Sequence, residues 1–287
     1  IWFVGTDALS AVYTENAVSY PGIMRAIAAT HTGFNVVNVI IFLPFVGLIS
    51  KLLYKLVPEA KGRKEESSLT MLDMRMIESP SLAIQQSQKE ITQMGETDEE
   101  MMQTLRKILT SDQMDKNDIE KVFSMETKLD MIQKEIVEFV GHMLIGNVAY
   151  DVAEESHKQL RIADEYESIS DYIQSILKLR LKMRDTQQVM GETALEELLE
   201  LHDAVGGYLG FINEAVLEGD GSILVDAKTK GASVTKLMKQ CRSNHLDRVE
   251  KKAATPLKSL IFTDMLNAYR RIKDHAFNIA EVIAGEK

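Results

Sequence analysis

The first part of the chain is apolar and free of charge over a long stretch. From Ala26 to Ser50 there is no Asp, Glu, Lys or Arg, and positions 34–49 are mostly Val, Ile, Leu and Phe. A helix needs about 20 mostly apolar residues to cross the roughly 30 Å hydrocarbon core of a bilayer. The stretch 32–53 meets that length. We therefore predict a membrane helix here; the alternative is a buried helix of a soluble domain.

Immediately after this run the chain becomes basic and then polar. The basic residues are Lys51, Lys55, Lys61, Arg63 and Lys64. Such clusters beside a membrane helix stay on the cytoplasmic side. The polar, aperiodic segment 58–68 is typical of a linker. These changes predict a membrane part over 1–57, a linker over 58–68 and a cytosolic part over 69–287.

From position 69 onward the apolar residues recur at helical spacing. Five prolines and 6% aromatic residues also favour helix over sheet, so the predicted fold class is all-α. The expected breaks include Gly95-Glu96, Gly191 and Thr255-Pro256, where Pro256 suits the first turn of a helix. The predicted helices cover 69–95, 97–110, 113–146, 148–185, 190–218, 223–248 and 255–285.

An internal repeat divides the helical part in two. The tetrapeptide beginning at Arg161 (Arg-Ile-Ala-Asp) returns 110 residues later at Arg271 as Arg-Ile-Lys-Asp. Thr127-Lys128-Leu129 is likewise echoed by Thr235-Lys236-Leu237 in the preceding helix. Seven-residue spacing on two interleaved tracks predicts a narrow apolar seam in each copy. Its members are Ile162, Tyr166, Ile169, Ile173 and Ile176 in the first copy, and Ile272, Ala276, Ile279 and Ile283 in the second.

Composition narrows the classes of function. The net charge of −10 argues against a nucleic-acid partner, which would be expected to meet a basic face. The single Cys241 cannot form an internal disulfide, which fits a reducing compartment. We find no Ser/His/Asp, Cys/His or paired-acid arrangement and predict that the protein is not an enzyme.

The repeated motif resembles the signature of PhoU-type proteins, which are phosphate-responsive regulators. That signature reads roughly Glu-Arg-Ile-Gly-Asp, followed by Asn and Glu on later turns. The resemblance implies two three-helix bundles, here over about 69–185 and 190–287. The matching residues are Arg161, Asp164 and Asp171 in the first copy and Arg271, Asp274, Asn278 and Glu281 in the second.

Both copies depart from the signature at its Glu, which in the family can ligate a metal together with the Asp four residues later. Leu160 and Arg270 occupy that position, and Arg270 would repel a cation. We therefore do not expect a multinuclear metal cluster. Whether any metal binds is left open, with Asp164 and Asp274 as the candidate ligands. The carboxylates of Asp164, Glu167, Asp171, Asp274 and Glu281 form either a weaker metal site or ion pairs with Arg161 and Arg271.

The membrane part resembles the end of the second repeat of bacterial sodium/phosphate cotransporters. The similarity rests on Arg25-Ala26, on His31-Thr32-Gly33-Phe34-Asn35 and on Phe42-Leu43-Pro44. It implies phosphate as substrate, sodium as coupling ion and a transport core upstream of Ile1. His31, Asn35 and Asn38 share one helix face, where they either line the substrate path or bond a neighbouring helix.

Together these resemblances predict sodium-dependent phosphate symport across a bacterial cytoplasmic membrane, regulated by a cytosolic PhoU-like domain. The alternative is a membrane-tethered helical regulatory or signalling adaptor without transport activity. The sequence leaves a homo-oligomer possible and predicts no cofactor besides the coupling ion.

Overall fold

The computed structural model describes residues 12–14, 17–19, 21–46, 72–111, 114–146, 148–251 and 255–286. The chain divides into two compact units, Ile1–Glu66 and Ser67–Lys287. The predicted linker 58–68 and the basic cluster at 51–64 lie outside the described residues.

The first unit contains a short hairpin and one long helix. Strands β1 (Val12–Thr14) and β2 (Ala17–Ser19) pair antiparallel, with Tyr13 opposite Val18. Helix α1 spans Pro21–Phe42, and a 3-10 turn over Leu43–Phe45 follows it. The all-α prediction includes no strand, so this short hairpin departs from it. The helix gives way to the turn before Pro44, which has no N–H to continue the hydrogen-bond ladder.

Most of the described side chains of helix α1 are apolar and exposed. The segment Ile27–Phe45 is long and apolar enough to cross a membrane, and none of it is buried inside the protein. Phe34, Ile40 and Leu43 are each about two-thirds exposed. The 22-residue helix is roughly 33 Å long, close to the thickness of a bilayer core. The candidate span thus begins earlier than position 32, and the part beyond Val46 lies outside the described residues.

The second unit consists of six long helices and two 3-10 turns in its described part. The turns cover Met74–Glu78 and Gly221–Ile223. The helices are α2 (Pro80–Thr110), α3 (Lys116–Ile145), α4 (Tyr150–Asp185), α5 (Glu192–Glu218), α6 (Leu224–Glu250) and α7 (Pro256–Ile283). Asp115 caps α3 through the Asn117 N–H, and Thr255 caps α7 with Pro256 in its first turn.

These helices form two three-helix bundles, α2–α4 and α5–α7, and α4 packs most extensively against α7. Helix α2 also contacts α5, so two helices of each bundle meet the other bundle. The seam predicted from seven-residue spacing is confirmed: eight members are buried and Ile283 is half-buried. The predicted all-α pair of three-helix bundles is confirmed.

Helix α2 differs from the two helices predicted over 69–110. It begins at Pro80, because proline lacks the N–H that an interior position needs, and it continues without a break through Gly95. A Cβ at Gly95 would lie 2.8 Å from the Tyr166 hydroxyl oxygen and 3.0 Å from Oδ1 of Asn213. Gly95 therefore allows close packing of α4 and α5 against α2 and does not interrupt the helix.

A buried histidine joins three helices. The Met102 carbonyl oxygen can only accept, so His202 Nε2–H donates to it at 3.1 Å. His202 Nδ1 then accepts from the Tyr269 hydroxyl at 2.9 Å. Burial lowers the pKa of His202 to about 4, which keeps the ring neutral near neutral pH. This network connects α2, α5 and α7 across the junction of the bundles.

We predict that Gly95→Ala lowers the free energy of unfolding by about 1–3 kcal/mol, because the new methyl group displaces the buried Tyr166 ring. Gly207→Ala is the matched control: it lies in α5, where a Cβ meets nothing within 4 Å, and should be neutral or slightly stabilising. Urea unfolding of the detergent-solubilised chain, followed by far-UV circular dichroism, measures both. Equal stability of the two variants would contradict the packing assigned to Gly95.

Candidate functional site

The signature residues lie on the two central helices. Arg161, Asp164 and Asp171 are on α4, and Arg271, Asp274, Asn278 and Glu281 are on α7. Arg161 and Arg271 are both exposed, and neither forms an ion pair within the described part of the chain. The alternative in which these arginines pair with the signature carboxylates stays a prediction.

Five carboxylates form what we call the acidic ladder, where α3 and α4 run antiparallel. The Asp164 carboxylate accepts from Gln133 Nε2 at 2.6 Å. One turn along, Asp130 lies close enough to Glu167 to raise its pKa. At the next turn the carboxyl groups of Glu126 and Asp171 lie within hydrogen-bonding reach of each other. The members of the ladder are Glu126, Asp130, Asp164, Glu167 and Asp171.

Burial and mutual repulsion make part of this ladder hold protons more tightly. The pKa of Glu126 is raised first by desolvation and then by Asp171. The pKa of Glu167 is raised by desolvation and by Asp171 and Asp130. A carboxyl pair can share a hydrogen bond only when one member is protonated. A proton or another cation would therefore stabilise the acidic ladder.

A completely buried acid lies close to this ladder. Asp98 on α2 is fully buried, and neither of its carboxyl oxygens has a hydrogen-bond partner. Its pKa is raised well above the usual range by desolvation, and further by Glu167 and Glu99. The fold therefore favours the protonated form of Asp98, because an isolated buried carboxylate is far more costly than its neutral form.

The second copy of the repeat does not reproduce the ladder. The two copies are offset by 108 residues on the helix before the signature and by 110 residues on the signature helix. With these offsets the second copy has Val234, Met238 and Phe277 where the first has Glu126, Asp130 and Glu167. Val234 and Met238 are buried. Apolar packing has therefore replaced three of the five carboxylates.

The remaining acids of the second copy have other surroundings. Asp274 pairs with Lys273 Nζ at 2.5 Å. Asp274 and Glu281 both lie near Tyr208, whose pKa is raised by burial and then by these two acids. The Tyr208 hydroxyl donates to the Ala227 carbonyl at 3.1 Å.

Helices α4 and α7 meet through a polar cluster. Glu165 Oε2 lies 2.6 Å from His275 Nδ1, and Asn278 Nδ2 lies 3.1 Å from both Glu165 oxygens. The His275 ring also stacks on Tyr172, with 5.5 Å between ring centroids. Because Glu165 and His275 are equivalent in the two repeats, this cluster marks the axis that relates them.

The predicted polar face of the membrane helix is present in α1. Asn35 Nδ2 lies 3.2 Å from His31 Nδ1, so these side chains bond each other within one helix. Asn38 is half-buried. Their place in a substrate path or a helix contact stays a prediction.

The described residues do not fit a family-type metal cluster. Among them, no group of three or more His, Cys, Asp or Glu side chains is arranged to hold a metal ion. Asp164 and Asp274, the candidate ligands, are instead bonded to Gln133 and Lys273.

Part of this chain matches a known protein family. Residues 91–179 match the PhoU domain family. The matched segment covers most of α2, all of α3 and most of α4, and so includes the acidic ladder. The predicted PhoU-like resemblance is confirmed for this region.

A solved structure extends the similarity to both bundles. The crystal structure of PhoU from Pseudomonas aeruginosa superposes with a TM-score of 0.64 at 14% identity, covering 72% of this chain and 96% of that protein. At this identity the match shows the fold alone. We call Ser67–Lys287 the PhoU-like unit from here on.

One curated relative carries a functional name. A putative inorganic phosphate export protein, YjbB, from Salmonella typhimurium strain LT2 is 19% identical over 191 residues. The match covers 66% of this chain, and the chain spans about a third, 35%, of the relative's length. Part of this chain is thus similar to a protein named for phosphate export.

Part of the candidate site lies outside the residues predicted from the sequence. Glu126 and Asp130 do not belong to the repeated signature, although their four-residue spacing matches that of Glu167 and Asp171. Two such acid pairs on helices expected to pack together are the signal that would have found the ladder. Asp98 and the contact between Glu165 and His275 give no comparable signal, because both depend on how distant helices pack.

We predict that Glu126→Gln stabilises the PhoU-like unit near pH 7 by about 0.3 kcal/mol or more, since it removes a like-charge contact with Asp171. A raised carboxyl pKa means that the folded state binds the proton more tightly. The repulsion between Glu126 and Asp171 is therefore present when the pH is above the pKa of Glu126 in the folded state. It disappears as the pH falls below the ordinary Glu pKa of 4.5.

Denaturant unfolding at several pH values measures this effect, with Glu138→Gln as control at an exposed position of the same helix. The gain from Glu126→Gln should shrink as the pH falls, and the control should show no such trend. A loss of stability in Glu126→Gln near pH 7 would contradict the repulsion assigned to the ladder.

Proposed function

We propose that this chain is part of a membrane phosphate transport protein in which the PhoU-like unit regulates flux. The observation that carries the proposal is the order of the two units. A fully exposed apolar helix of membrane-spanning length precedes a PhoU-like unit in the same chain. The relative named for phosphate export supports phosphate as the transported species.

The membrane placement rests on the energetics of α1. Its exposed Phe, Ile, Val and Leu side chains would each cost about 1.5–3 kcal/mol to leave in water. A bilayer removes that cost. In this proposal the PhoU-like unit lies in the cytosol, on the side to which the basic segment after the apolar run directs it.

Sodium coupling is the finer part of the proposal. It rests on the resemblance of the segment from Arg25 to Pro44 to sodium/phosphate cotransporters. In this hypothesis His31, Asn35 and Asn38 face a hydrated substrate path supplied largely by segments beyond those described. The relative's name indicates export, so the direction of net flux has to be measured and not assumed.

The experiment is radiolabelled phosphate flux in cells that lack other phosphate transporters. The longest reading frame that contains this chain is compared with the same frame ending after Glu66, in uptake and in efflux. We expect flux in both, with loss of its dependence on internal phosphate in the shortened form. Replacing external sodium by choline should reduce flux at least tenfold if sodium is coupled.

Three outcomes would contradict the proposal in different ways. Equal flux with equal feedback in the two forms would remove the regulatory role. Unchanged flux in choline would remove sodium coupling while leaving phosphate transport. No phosphate flux in either direction from the long form would favour the membrane-tethered adaptor.

A further inference from the structure

A groove between the two bundles has a charge opposite to that of the whole chain. It has a volume of about 580 Å³ and lies between the second half of α4 and the first half of α7. Cavities that bind small organic ligands usually have volumes of about 300–1,000 Å³. We call it the basic groove. Its polar and charged lining comprises Tyr172, Ser175, Lys178, Lys182, Asp264, Asn267, Arg270 and Arg271.

Four cations and one carboxylate line this groove, in a chain whose net charge is −10. Lys178 and Lys182 are one turn apart on α4, and Arg270 and Arg271 are adjacent on α7. The like charges of Lys178 and Lys182, four residues apart on one helix face, repel each other and destabilise the helix. The concentration of positive charge at one place therefore has a cost, which a bound anion would offset.

Three of the four cations have no counter-ion in the described part of the chain. Lys182, Arg270 and Arg271 are exposed and form no hydrogen bond or ion pair there through their side chains. Lys178 donates to the Gln174 side chain and lies near Glu126. The three unpaired groups thus remain available to an anion that enters the groove.

The neighbouring polar groups add hydrogen-bond donors to the groove. Ser175 supplies a hydroxyl and Asn267 an amide, both of which can donate to an oxyanion. The two guanidinium groups each present a fork of N–H donors that matches a phosphate in bidentate fashion. The buried Ala268 and the half-buried Leu179 form the apolar floor.

The basic groove is lined by a residue at which this chain differs from the family signature. Arg270 occupies the position where the signature has a metal-ligating Glu, and Leu160 occupies it in the first copy. The substitution in the second copy adds a cation to the groove. The position that carries a metal-ligating Glu in the signature thus carries, in the second copy, an arginine that attracts an anion.

We propose that the basic groove binds a small ligand with adjacent phosphoryl groups, either an inorganic polyphosphate or a nucleoside polyphosphate. Three unpaired cations exceed the charge of one orthophosphate, and the volume far exceeds its size. A ligand with two or three linked phosphoryl groups offers several anionic groups to the cations of α4 and α7. The proposal concerns binding alone and does not depend on phosphate transport.

The test is isothermal titration calorimetry of the full chain in a nonionic detergent with tripolyphosphate, ATP and orthophosphate. We expect saturable, salt-sensitive binding of tripolyphosphate or ATP that is at least tenfold tighter than that of orthophosphate. Arg270→Gln/Arg271→Gln should weaken binding at least tenfold, since each arginine contributes charge-assisted hydrogen bonds. If ATP binds more tightly than tripolyphosphate, the ligand is a nucleoside polyphosphate. If ATP binds equally or more weakly, the ligand is inorganic polyphosphate.

The matched control is Lys239→Gln/Arg242→Gln, which removes the same charge from exposed positions of α6 outside the groove. Circular dichroism confirms that both double variants are folded. No saturable binding by the wild type, equal weakening by both double variants, or orthophosphate binding as tight as that of the polyphosphates would overturn the proposal.

Discussion

The packing of α4 against α7 holds the PhoU-like unit together. Each of these helices is the third of its own bundle, and their contact is the most extensive between any two helices described. Beside it, His202 and Tyr269 connect α2, α5 and α7 through buried hydrogen bonds. A close-packed interface of this kind fixes the register of both helices, because small shifts would open cavities or cause clashes.

On this common framework the two repeats have diverged in charge. Along α4 the acidic ladder faces α3, and further along the same helix the basic groove faces α7. Where the first repeat has three of its acids, the second has Val234, Met238 and Phe277, and Arg270 stands where the first has Leu160. The apolar seam that both repeats share maintains the fold, so the polar positions were free to change without loss of packing. One duplicated helix pair can thus present two surfaces that attract ions of opposite sign.

The sequence predicted the features that depend on local spacing. The seven-residue seam, Pro256 in the first turn of its helix and the helix bounds after 113 agree with the structure, the bounds to within about three residues. It did not predict the continuity of α2 through Gly95, because that glycine is needed for contact with Tyr166, which lies far away in sequence. The pairing of Glu165 with His275 was missed for the same reason. Local periodicity shows which face of a helix is buried, but not which residues of another helix it meets.

The contact between Glu165 and His275 is where the account can be tested most directly. A double-mutant cycle with Glu165→Gln, His275→Ala and the combined variant isolates their interaction in the free energy of unfolding. If α4 and α7 pack in the register described, with Nδ1 and Oε2 2.6 Å apart, the coupling should be about 0.5–3 kcal/mol. Additive effects within about 0.3 kcal/mol would show that the two side chains do not meet and would contradict the packing on which the PhoU-like unit depends.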